Sequence, residues 1–144
     1  MKRLWALGAV LVLAGCREVR VNTLRTGTTA VVAGGTAVAV IRDAASLQRL
    51  GIGAPVRFKN EFGIVLLMGP HDRTGYHQII ESIRASSDRV RVVAFESAPP
   101  SGGEPSPQYR TYTLWIIPNA VYRRGIRVEV VTPSDDAVAS TVLR

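Results

Sequence analysis

A single cysteine, Cys16, in 144 residues leaves no intramolecular disulfide to staple a fold. Lysine is almost missing too: Lys2 and Lys59 are the only two, so the basic character rests on arginine. There are two histidines, His71 and His77, whereas a metal site wants three or four convergent ligands. Glu61 or Glu81 would have to join them, and solvated turn residues are the simpler reading, so no metal is expected. No serine sits in a nucleophile-elbow pattern. Gly34-Gly35 and Gly102-Gly103 lack the strand–loop–helix setting of a phosphate loop and read as turns. No internal repeat stands out. With these signatures missing, no catalytic residue, cofactor or small-molecule substrate is expected, and the chain is read as a non-enzyme.

What the chain does have is Val/Ile/Thr-rich segments punctuated by glycine and proline, which favour strands. The central one is Phe62–Met68, apolar throughout and too short to span a membrane. Such a run fits a central strand covered on both faces. A polar turn, Gly69–Gly75, follows, and a second strand opens at Tyr76, giving a hairpin. Before it come a strand over Thr36–Arg42 and a short helix over Ala44–Leu50, capped by Asp43 and stopped by Gly51. Ile52–Asn60 is a loop. After the hairpin, Arg89–Glu96 is a strand with Val90, Val92 and Ala94 on one face. Ser97–Gln108, with four prolines and two glycines, reads as a long exposed loop. Tyr109–Ile117 is an aromatic-rich strand in which packing is the expected use of Trp115. Ile126, Val128 and Val130 mark one face of the last regular strand. The expected fold is therefore mainly β, a sandwich or partly open barrel of antiparallel strands, with one short helix near 44–50.

The formal net charge is +7. Leaving out Lys2 and Arg3, which sit in a segment expected to be removed, gives 18 − 2 = 16 basic against 11 acidic residues, or +5. The basic residues are scattered rather than striped and no nucleic-acid motif accompanies them, so nucleic acid is not an expected partner.

Residues 1–15 read as a lipoprotein signal peptide. Lys2 and Arg3 form a positive start, Leu4–Leu13 an apolar stretch, and Leu13-Ala14-Gly15-Cys16 resembles the bacterial lipobox. The resemblance implies diacylglycerol on the Cys16 thiol, cleavage before it and acylation of the new amino group, hence membrane anchoring through lipid. In well-studied diderm bacteria an aspartate after the cysteine marks inner-membrane retention. Arg17 there points instead to the outer membrane, at its periplasmic face or at the surface. Residues 16–35 then read as the lipidated cysteine and a tether, 36–132 as the domain, and 133–144 as a polar tail.

The segments SLQRLGI, FKNEFGIVLLMG, Thr74-Gly75-Tyr76, PPSGGEP and TLWIIP before a final VEVV follow one another between about Val38 and Val131. This order resembles the C-terminal domain family of PrcB, an accessory subunit of a bacterial secreted protease complex. The family's turn is commonly Pro-Thr-Gly-Gly-Tyr; here one glycine precedes Tyr76. The resemblance implies a strand-rich, non-catalytic domain that associates with another envelope protein, a protease among the candidates. Residues expected at the partner surface are Arg73, Thr74, Gly75, Tyr76, Pro100, Gly102 and Gly103. An alternative is a small β-sandwich protease inhibitor presenting Thr74-Gly75-Tyr76, with Ser101-Gly102-Gly103 and Tyr122-Arg123-Arg124 as accompanying loops.

The anchor has a direct check. Thiol alkylation needs sulfur and cleavage follows lipidation, so Cys16→Ala is expected to abolish palmitate labelling and accumulate uncleaved precursor. Labelled palmitate on the alanine variant would refute the lipobox reading.

Overall fold

In a computed structural model, which describes residues 21–86 and 88–144, eight strands form two four-stranded sheets packed face to face. The expected signal peptide and Cys16 lie outside the described residues. The strands are β1 (Asn22–Thr29), β2 (Ala37–Ile41), β3 (Glu61–Arg73), β4 (His77–Ala85), β5 (Arg89–Ser97), β6 (Pro105–Pro118), β7 (Arg127–Val131) and β8 (Ala137–Val142). One sheet has the order β1-β6-β3-β2 and the other β4-β5-β7-β8. Helix α1 (Ala44–Arg49) is short, and a 3-10 turn covers Asn119–Val121.

The β3–β6 pair at the centre of the first sheet is buried on both faces, and the reason is alternation along the two strands. Phe62, Ile64, Leu66 and Met68 of β3 join Trp115 and Ile117 of β6 in the core between the sheets. There they meet Val90, Val92 and Ala94 of β5 and Val128 and Val130 of β7. Val65 and Leu67 point the other way, with Tyr112, Leu114 and Ile116, and are covered by Leu47 of α1 and Ile52. Both faces of the Tyr109–Ile117 run are therefore core, with Trp115 only 1% exposed. The second sheet has one such apolar face, and its other face carries Arg89, Arg91 and Glu129 beside solvent.

Helix α1 sits where the sequence predicts it. The Asp43 carboxylate accepts from the Ser46 backbone N–H at 2.7 Å, and Gly51 follows the helix at φ 68°. That bond holds the Asp43 carboxyl below the usual carboxylate range. A lowered carboxyl stabilises the fold above its unfolded-state pKa, and the contribution is lost as the pH falls through the lowered value.

Several boundaries differ from the sequence reading. β3 does not end at Met68: it shifts register at Gly69-Pro70, a cis bond, and resumes pairing at His71↔Tyr109. The expected hairpin is not one, because β4 pairs with β5 in the opposite sheet and the chain crosses between sheets at 74–76. The 97–108 loop is shorter than expected, since β6 already runs from Pro105. Proline is tolerated at the first position of a strand, and Pro107 falls in the register shift between the Tyr109 and Pro105 pairs. β5 and β7 pair parallel, because the chain visits the other sheet through β6 between them. The segment read as a tether contains β1, an edge strand exposed at Thr23 and from Arg25 to Thr28, whose order comes from main-chain pairing with β6. The segment read as a polar tail contains β8, followed by Leu143, which is 1% exposed.

Leu66 and Leu67 are adjacent and both buried, one in each core layer. Leu→Ala at either position is expected to cost about 2–5 kcal/mol in urea unfolding. A near-neutral result at Leu67 would mean that α1 and the following loop do not seal the second face.

Candidate functional site

The segments singled out in the sequence meet at one end of the sandwich. Thr74 N–H donates to the Glu104 carbonyl at 2.9 Å, and Glu104 N–H donates back to Thr74 Oγ1 at 3.0 Å. Arg73 Nη1 donates to the Gly103 carbonyl at 3.2 Å. Gly75 (φ 96°) lies so close to Pro99 that a methyl group on it would be 2.7 Å from the proline Cβ. A methyl group on Gly103 (φ 70°) would be 2.1 Å from the Thr74 carbonyl oxygen. The 74–76 crossing and the 99–104 loop therefore interlock backbone to backbone, a fit that only glycine permits at these two positions. Arg73, Thr74, Gly75, Pro100 and Gly102 are exposed there, while Tyr76 and Gly103 are half-buried.

Behind this surface a polar bridge runs into the core. The His71 ring stacks on Tyr76, centroids 3.8 Å apart and 7° from parallel, with Tyr109 tilted beside it at 5.7 Å. His71 Nε2 lies 2.8 Å from both Glu96 carboxylate oxygens, and Thr111 Oγ1 donates to the same carboxylate. Deeper, Gln78 Nε2 donates to the Leu66 and Thr111 carbonyls at 3.1 Å each, and Thr113 Oγ1 donates to Gln78 Oε1 at 2.7 Å. β3 and β6 of one sheet are thus tied to β4 and β5 of the other. A buried polar group costs stability unless bonded, and here each member has partners. A nucleophile–base–acid reading of Thr111, His71 and Glu96 fails on geometry. Thr111 is 2% exposed and its hydroxyl donates to the carboxylate, not to the imidazole.

The other candidate residues are dispersed. His77 is exposed on β4 opposite Ser97, Glu61 stands at the far end of β3 against Pro118, and Glu81 is exposed. Among the described residues no three potential metal ligands come together. His71, read as a solvated turn residue, is instead half-buried on Glu96. Of the three inhibitor-like segments, Thr74–Tyr76 and Ser101–Gly103 share one end. Tyr122 follows the opposite end of β6, packed edge-on against Phe62 and under Arg42. The separation is the length of β6, roughly 40 Å at about 3.3 Å per residue.

Glu96 and Gln78 were not singled out in the sequence. The signal for Glu96 is its parity: it continues the inward series Val90, Val92, Ala94, so a carboxylate there must find a partner inside. Gln78 shares the inward side with Ile80 ahead of the register shift in β4.

A shallow groove of about 380 Å³ opens beside the interlocked loops, between Thr28–Ala30, Thr74–Tyr76 and Ser106–Tyr109. A second, of about 610 Å³, separates the edges of β2 and β8 and is lined in part by Val40, Arg42 and Tyr122.

No family model, curated protein or solved structure matches the chain.

The interlock predicts a ranking. Gly75→Ala and Gly103→Ala should lower the thermal midpoint more than Gly102→Ala, which has positive φ (78°) but no atom within 4 Å of an added methyl. Gly102→Ala then carries only the left-handed backbone term of about 1–2 kcal/mol. Equal shifts at all three would mean the two segments are not locked together.

Proposed function

We propose that this chain is a lipid-anchored envelope protein whose β domain is a non-catalytic docking module for another envelope protein. The observation that carries the reading is the interlocked end surface formed by Arg73–Tyr76 and Pro99–Glu104. Its exposed residues are held by mutual backbone bonds, and the polar bridge fixes it from behind. A surface ordered in advance loses less entropy when a partner settles on it. The prolines in the loop act in the same direction. The PrcB-like order of segments makes a secreted or envelope protease the partner class to look for first. The inhibitor reading is less favoured, because its third loop lies a strand length away.

The test uses two variants of the lipidated chain: Tyr76→Ala, and replacement of 99–103 by a shorter Gly-Ser link. Folding is checked by circular dichroism, and proteins co-purifying after detergent solubilisation are compared with wild type. Both variants are expected to fold and to lose a wild-type partner. If both fold and keep every partner, the docking surface lies elsewhere. A captured protease that remains active supports the accessory role, and one that is blocked supports inhibition.

A further inference from the structure

We infer that the groove at this end takes an extended segment of a partner polypeptide, added as a strand to the open edge of β6; the inference rests on the docking reading above and specifies its mode. β6 is an interior strand of its sheet, yet its two neighbours do not cover it equally. β3 runs beside it to Arg73↔Pro105, whereas the ladder with β1 stops at Thr29↔Arg110. From Tyr109 back to Pro105, the β1 side of β6 has no strand in register among the described residues.

The cause is local. Thr29 Oγ1 donates to the Leu50 carbonyl at 2.6 Å and accepts from Val31 N–H at 3.1 Å. The buried Arg110 guanidinium then holds the Val31 and Gly35 carbonyls at 2.7 and 2.8 Å. Burial pushes its pKa down, and its remaining nitrogen, Nη2, has no partner among the described residues. Together these bonds draw the chain off β6 after Thr29, toward the α1 face, and leave the strand edge bare.

The direction of the bare groups follows from strand alternation. The Tyr109 and Trp115 carbonyl oxygens turn toward β3, lying 3.2 and 3.7 Å from where a Cβ on Gly69 and Gly63 would sit. Over the regular ladder, odd-numbered residues of β6 thus direct their main-chain groups at β3, and even-numbered ones, down to Arg110, direct theirs at the β1 side. Arg110 is taken by Thr29. Gln108 and Ser106 lie beyond Arg110, where the register of β6 with β3 shifts, and both keep an N–H. The prolines of this stretch, Pro105 and Pro107, alternate with them in sequence.

The groove of about 380 Å³ lies along this edge. Its lining includes no charged side chain, and one wall is Tyr76, Pro107 and Tyr109. An incoming strand, antiparallel to β6 and in line with β1, would bond Gln108 and Ser106. Alternate side chains, uncharged to match the lining, would fall on the aromatic–proline wall.

The test selects random displayed peptides, about twelve residues long, on the detergent-solubilised full chain. Enriched peptides should bind wild type and Gln108→Ala alike. They should bind Gln108→Pro, which lacks the N–H, about five- to tenfold more weakly, the effect of one main-chain hydrogen bond. Should Gln108→Pro fail to fold, amide exchange on the wild type decides: peptide must slow exchange at Gln108, at Ser106 or at both. No enrichment, equal binding to the proline variant, or no protection at either amide overturns strand addition. If the co-purifying partner is lost from Tyr76→Ala but recovered in undiminished amount with a folded Gln108→Pro, docking at this end stands and strand addition falls. If every variant keeps it, both fall.

Discussion

The antiparallel pairing of β3 with β6 is the constraint on which the other features depend. These are the two longest strands, 13 and 14 residues, and they are joined from Glu61↔Pro118 to Arg73↔Pro105. Because both faces of this pair are apolar, a second sheet must close one side and α1 with its following loop must close the other. Pairing also decides direction. With β6 held between β1 and β3, the chain after β5 must cross to the first sheet and return, which is how β5 and β7 come to lie parallel.

At one end of this pair the apolar filling gives way to Thr111, Thr113, Gln78, Glu96 and His71. Such a network specifies a geometry more than it adds stability, because its members must be bonded to one another to be tolerated. Its effect is to fix how the two sheets meet where the chain crosses between them. The 74–76 crossing and the 99–104 loop are then set against each other by two glycines and a reciprocal Thr74–Glu104 bond. A rigid core, a polar clamp and an interlocked surface thus stand in sequence from inside to outside. The open edge of β6 belongs to the same end and has the same origin, since Arg110 belongs to the strand whose flank it uncovers.

Much of this was legible in the sequence. The mainly β class follows from the Val/Ile/Thr-rich segments, the helix after Asp43 from its cap and its glycine stop, and the two-sided burial of Phe62–Met68 from an unbroken apolar run, while glycines and prolines mark the two loops. Edge strands were harder to see. β1 and β8 read as tether and tail because an edge strand with polar side chains has no periodic signal of its own and is ordered by its neighbour's main chain. The 62–83 stretch read as a hairpin because sequence proximity suggests pairing, and only the crowded apolar faces of both strands decide that they lie in different sheets. The polar bridge was missed because Glu96 and Gln78 are single inward-facing polar residues. The parity that gives Glu96 away is visible only once the whole of β5 is laid out.

The central claim is that partner contact occurs at the end of the sandwich holding Pro100 and Tyr76, and not at the β2–β8 edge. Photo-crosslinking in intact envelopes, with a photoreactive residue at Pro100 or at Val142, tests it most directly. Val142 is the one large hydrophobic residue left exposed among the described residues, and it lines the β2–β8 groove. A discrete protein adduct from position 100 and none from position 142 is the predicted result. An adduct from position 142 alone would contradict it.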